Sequence, residues 1–248
     1  MTSEFGPTET QADKFDASLI APTQQDWEII TNSPYTEKPS ERCYFIGDLA
    51  VLDPRRVISI PTLDDWNYFV QRNAELNEHP TWVIGRYPLI TEMAKVDRER
   101  ACKALNPGEL DNWTLSLKSI LRGEESVGLF PGSTQEYLIY TDPERTKKVF
   151  CEYWESAWNA EKRYASWLRR ESPHDFFTLL AALTEISEEK TFSLLEKSDW
   201  RLAQEGLAYY REGAIENKYQ VRPLITHLTA LKKLTPLFER LSREGSSQ

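Results

Sequence analysis

Three histidines, His79, His174 and His227, are the chain's candidates for acid–base or metal-ligating chemistry, and they lie far apart in sequence. Two imidazoles bind one metal from a single element only at short spacing, as in HxH or HExxH, and neither pattern is present. The sequence therefore predicts no metal centre, and for His174, between Pro173 and Asp175 at a helix start, a capping or surface role. The cysteines, Cys43, Cys102 and Cys151, form no CxxC pair and read as small isolated thiols. No catalytic residue and no cofactor is predicted. Phosphate loops need closely spaced glycines, and Gly47, Gly85, Gly123, Gly128 and Gly132 are dispersed. The paired Arg55 and Arg56 after Pro54 read as a turn rather than an anion site. A metal nuclease could be sketched from Asp142 with Glu188 and Lys190, but that pair belongs on a strand and 188–190 reads as a helix start. No nuclease or phosphodiesterase activity is expected.

The most informative stretch is 145–171, aromatic and basic, with seven Lys or Arg against four Glu. At about 100° per residue, Phe150, Tyr153, Trp154, Ala157, Trp158, Tyr164, Ala165 and Leu168 share one face, which predicts a core helix. Glu161 falls inside that stripe. An unpaired carboxylate is costly to bury there, so Glu161 either finds a partner elsewhere in the fold or is a functional carboxylate. Arg163, Trp167 and Arg170 project on the other side. They form either a second packed face or a partner-binding surface of the composition favoured at interaction hot spots and nucleic-acid-stacking sites.

The elements that must position these residues follow from pattern and punctuation. CYFIGDLAVL (43–52), RVISI (56–60), TWVIG (81–85), SVGLF (126–130) and EYLIY (136–140) read as strands, because Val, Ile, Tyr and Phe dominate them between Gly and Pro. Thr62, with Asp65 three residues on, caps a helix to about Leu76, and 109–121 has helical periodicity. From Pro143 the chain reads as helical throughout, with breaks at Ser172-Pro173, near Ser187, near Ser198-Asp199 and between Gly213 and Pro223. The expected fold class is α+β: a small mixed α/β sheet module over 18–142, with an all-helical region, 143–241, packed on it. Residues 1–17 read as a disordered leader and 242–248 as a flexible tail.

The run EYLIYTDPERTKKVFCEYWESAW resembles the closing strand–Asp-Pro–helix unit of phospholipase D-like domains. The HxK motif of active members is absent, so the resemblance implies a non-hydrolytic copy used for binding.

Composition bounds the rest. With 40% hydrophobic and 28% charged residues, the sequence is that of an ordinary globular protein, and no apolar run is long enough to span a membrane. No secretory signal is read at the N-terminus, so the expected location is cytoplasmic. A net charge of −9 restricts any nucleic-acid site to a local basic patch. The sequence favours a non-enzymatic regulatory or adaptor protein that binds another protein through Arg163, Trp167 and Arg170. The alternatives are an enzyme built on carboxylates such as Glu161, and a nucleic-acid-associated protein using 145–171.

Overall fold

The computed structural model describes residues 15–33, 36–53, 55, 61–78, 83–121, 134–217 and 220–245. Every regular element among them is helical. A short 3-10 turn, Ala17–Leu19, precedes α1 (Gln24–Thr31), α2 (Pro39–Arg42), α3 (Ile46–Leu52), α4 (Leu63–Glu78) and α5 (Val83–Val96). Then come α6 (Arg98–Cys102), α7 (Glu109–Leu121), α8 (Thr134–Thr141), α9 (Pro143–Glu152) and α10 (Trp154–Glu171). The chain closes with α11 (Pro173–Leu183), α12 (Glu188–Phe192), α13 (Asp199–Glu216) and α14 (Val221–Gly245).

The expected α+β sheet is therefore absent among the described residues, and the fold is all-helical. The run 43–52 is a turn followed by α3, and 136–140 lies within α8. Both are buried nearly all round: Tyr137, Leu138 and Ile139 in α8, and Cys43, Phe45, Ile46, Leu49 and Leu52 around α3. A helix enclosed on every side loses its 3.6-residue periodicity and reads like a buried strand. The strand required by the phospholipase D-like resemblance is likewise a helix. Of the other expected strands, 83–85 opens α5, and 56–60, 81–82 and 126–130 lie outside the described residues. The helices at 62–76 and 109–121 form as their patterns predict, and the C-terminal breaks fall where Ser, Pro and Gly place them. The expected long helix after Pro143 is two, interrupted at Tyr153 (φ −114°, ψ 31°).

Four helix starts share one device. At α1, Asp26 accepts from the Thr23 N–H (2.7 Å) while Arg211, from α13, donates to both of its oxygens (2.9 and 2.7 Å). At α4, Asp65 accepts from the Thr62 N–H (2.7 Å) and binds Arg42 side-on. At α7, Glu109 accepts from the Asn106 N–H (3.0 Å) and pairs with Arg86. At α13, Asp199 accepts from the Glu196 N–H (2.7 Å) and from Arg169 (2.8 Å). Each carboxylate satisfies an N–H at its helix entrance, where a negative charge is stabilised, and also anchors a guanidinium from another helix. Burial pushes the Asp26 carboxyl up, but the bonds from Arg211 and Thr23 prevail and hold it below the ordinary range. At Asp199 burial wins and the carboxyl is raised.

The core is one continuous apolar cluster from Ile20 to Phe238. Its spine is α11 against α14, where Phe176, Phe177, Leu180 and Leu183 meet Leu224, Ile225, Leu228, Leu231 and Leu234. The predicted leucine stripe of α14 thus faces the core, and Phe150, Trp158 and Leu168 of the aromatic stripe are buried with it. The side chains of Trp154, Glu161 and Tyr164 lie outside the described residues. Helix α3 is held between α5 and α14: Thr229 donates to the Asp48 carbonyl (3.2 Å), and Lys232 Nζ caps the Leu52 carbonyl at the end of α3 (2.6 Å). On its other side Gly47 faces α5 so closely that a Cβ would overlap the Glu92 carbonyl oxygen and stand 2.7 Å from Lys95 Cβ. Crowding of backbone against backbone leaves no rotamer to relieve it. Gly47→Ala is expected to cost about 1–3 kcal/mol, as overpacking of a dense core does. Urea denaturation checks this, and an unchanged midpoint would show that α3 and α5 are free to separate.

Candidate functional site

The predicted partner-binding residues lie on one face of α10, at i, i+4 and i+7. Arg163 and Arg170 are exposed, and Trp167 is 45% exposed although it is one of the largest apolar side chains in the chain. Lys162 is exposed beside them. The opposite face of the helix buries Trp158, Ala165 and Leu168, and the Arg163–Trp167–Arg170 side is turned away from that core. The neighbouring Arg169 is turned inward. It binds Asp199, Glu196 (2.6 Å) and the Leu194 carbonyl (2.5 Å), and its guanidinium lies over the Phe176 ring (4.7 Å). That anchor fixes the rotation of α10 next to Trp167.

A second arrangement has no counterpart in any local pattern. A cavity of about 280 Å³ opens where α3, α5, α11 and α14 converge. Asp48 from α3, Glu92 and Lys95 from α5, His174 and Asp175 from α11, and Arg222 from α14 bring ionisable groups to it. The close crossing at Gly47 puts Asp48 beside Glu92 and Lys95. The Lys95 ammonium donates to Asp48 Oδ1 (2.7 Å) and Glu92 Oε1 (2.5 Å), and lies 4.9 Å from the Tyr140 ring centroid. Glu92 Oε2 accepts the backbone N–H of Asp48 (2.9 Å). All three side chains are more than nine-tenths buried. Burial, and then the neighbouring Asp48 carboxylate, push the Glu92 carboxyl upward against the pull of Lys95. Two carboxylates share one ammonium, so the group carries surplus negative charge.

His174 and His227, 53 residues apart in sequence, meet here with their Nδ1 atoms 3.4 Å apart. The partner of His227 Nε2 is the Ala203 carbonyl at 3.1 Å, which can only accept, so Nε2 carries the proton. Burial depresses His227 to about 4, and its ring is neutral at pH 7. Its Nδ1 is therefore an acceptor, and His174 Nδ1–H is the donor. Burial also lowers His174, against the opposing charges of Asp175 and Asp48. The result is a neutral His174 with an unprotonated Nε2 on a ring that lines the cavity. Gly206 permits this packing, since a Cβ there would come within 3.1 Å of His227 Nε2. The capping or surface role expected for His174 is corrected accordingly.

None of the remaining sequence candidates among the described residues lines this cavity. Asp142 caps α9, accepting the Arg145 N–H (3.0 Å), and Glu188 opens α12 behind its cap Ser187. Cys43 is buried, its thiol pushed up to about 12 by burial and by Asp65; Cys102 is half-buried and Cys151 exposed. Arg55 is exposed, while Arg56 and His79 lie outside the described residues. No group of three or more His, Cys, Asp or Glu among the described residues could hold a metal ion. Comparison with models of protein families, with curated proteins and with solved structures finds no match.

The histidine pair sets a pH dependence of known sign. An unfolded His227 titrates near 6.5 and the folded one near 4, so folding favours the neutral ring. That contribution is complete above 6.5 and is withdrawn as pH falls towards 4, with His174 acting in the same direction. Between pH 7 and pH 5 the loss from His227 should be on the order of 2 kcal/mol. Thermal melts at both values should show a larger drop for the native chain than for His227→Gln, whose amide can still donate to Ala203. Equal drops would refute the assignment.

Proposed function

We propose that the chain is a non-enzymatic adaptor or regulatory protein whose α10 face binds another protein, with Trp167 as the central anchor and Arg163 and Arg170 beside it. The observation that carries this reading is a part-exposed tryptophan flanked by exposed guanidiniums on one helix face, in a chain of net charge −9. Tryptophan and arginine are the residues most enriched among interface hot spots. The local positive charge selects a partner with an acidic surface, and the overall negative charge disfavours a polyphosphate backbone. No helix among the described residues is long and apolar enough to cross a membrane. The three free thiols fit a reducing compartment, which supports a cytoplasmic setting.

The test is a comparison of two surface variants. Trp167→Ala should leave the melting midpoint within about a degree and reduce partner affinity by about 30-fold or more, as hot-spot truncation does. Tyr209→Ala removes an aromatic that is 68% exposed on α13 and should leave the same partner bound. Cross-linking and mass spectrometry identify proteins captured by the native chain and by Tyr209→Ala but lost by Trp167→Ala. A large fall in the Trp167→Ala melting midpoint, or identical capture by all three proteins, would overturn the reading. Capture that is abolished by nuclease treatment would do the same in favour of nucleic acid.

A further inference from the structure

We propose that the cavity between α3, α5, α11 and α14 is a binding site for a small zwitterion, a short molecule with a protonated amine at one end and an anionic group at the other. The inner wall is rich in acceptors that the fold leaves unused. Asp48 is 3% exposed and its Oδ1 holds Lys95, but Oδ2 takes no hydrogen bond from any described residue. Asp175 accepts one bond, from the Ser172 hydroxyl at Oδ2 (2.6 Å), which leaves Oδ1. His174 presents the unprotonated Nε2 derived above. These carboxylate oxygens are reachable from the cavity rather than sealed in the core, and each can take a donor from a ligand. A primary ammonium supplies three N–H donors to these three acceptors.

The charge count selects a cation rather than a neutral polyol. Lys95 is consumed by Asp48 and Glu92 together, so two buried carboxylates face one buried ammonium, and Asp175 adds a further negative charge. Burial raises the Glu92 carboxyl first, and the repulsion from the Asp48 carboxylate beside it adds to that. An incoming ammonium relieves that repulsion.

The outer end carries the opposite sign. Arg222 lines the cavity but is exposed, and it makes no ion pair or hydrogen bond with any described residue; its guanidinium lies 5.9 Å from the Tyr44 ring centroid. There it can bind a carboxylate or phosphate, and it disfavours a second amine. The Tyr44 ring and the pyrrolidines of Pro88 and Pro223 supply apolar wall for a short hydrocarbon between the two ends. At about 280 Å³ the space is of a size for a small molecule.

Isothermal titration at pH 7 with three probes of matched length tests each end separately: 4-aminobutyrate, n-butylamine and butyrate. The expected order is 4-aminobutyrate tightest, n-butylamine about tenfold weaker or more, and butyrate without measurable binding, one charge-assisted contact being worth about a factor of ten or more. Arg222→Gln, an exposed change that spares the fold, should weaken 4-aminobutyrate by about tenfold and leave n-butylamine unchanged. Asp175→Asn should weaken both amines. Asp48→Asn should abolish binding, with a melt to show that the variant is folded; if it is not, the Arg222 and Asp175 variants decide. Butyrate binding as well as 4-aminobutyrate, no heat with any probe at about 10 mM, or affinities unmoved by Arg222→Gln and Asp175→Asn would each overturn the proposal.

Discussion

Helices α3 and α5 touch at Gly47 with no side chain between their backbones, and the arrangement of the cavity depends on that contact. It sets Asp48 where its own N–H reaches Glu92 and where one ammonium can serve both carboxylates. Removing one member of such a buried group leaves an uncompensated charge and costs about 3–5 kcal/mol, whereas an apolar replacement of the whole group is often neutral. The stability of the bundle therefore does not account for these three residues being there. Their placement at a cavity wall, with acceptors to spare, accounts for them better as a polar surface than as a brace.

The braces are elsewhere. Many short helices leave many N–H groups without intrahelical partners, and this fold meets part of that demand with carboxylates that also hold distant arginines. Asp26, Asp65 and Asp199 are almost wholly buried, and each is followed by a tryptophan: Trp27, Trp66 and Trp200. Trp27 and Trp66 are buried, and Trp200 packs against the apolar cluster. Capping, ion pairing and apolar docking are thus delivered by one dipeptide at three helix entrances. Arg169, which binds the α13 capping carboxylate Asp199, also orients the helix that displays Trp167.

What could be read from the sequence was local. The Thr62–Asp65 cap, the α7 periodicity, the leucine stripe of α14 and the C-terminal breaks depend on residues within one or two turns of each other. The same Thr-x-x-Asp-Trp signal stood at 23–27 and would have marked the start of α1. Runs such as Tyr137–Tyr140 were misleading because burial on all sides erases the difference between helical and extended periodicity. The exposure of Arg163, Trp167 and Arg170 is consistent with the helical projection. The cavity was not legible: His174 and His227 lie 53 residues apart, and Asp48 lies 47 from Lys95. No motif encodes a meeting that only tertiary packing produces.

The capping carboxylates have two kinds of partner on very different length scales. Asp26 reaches the Thr23 N–H across three residues and Arg211 across 185. The entropy of closing a loop grows with its length, so the first bond is available to a nascent helix in an otherwise unfolded chain, and the second only once two distant segments have come together. A buried carboxylate that waited unbonded for its arginine would make docking of α1 against α13 expensive. Because the cap already holds it, the charge enters the interface half-solvated by its own helix. The first helix can therefore be laid down early and left open, to be locked when the last third of the chain arrives.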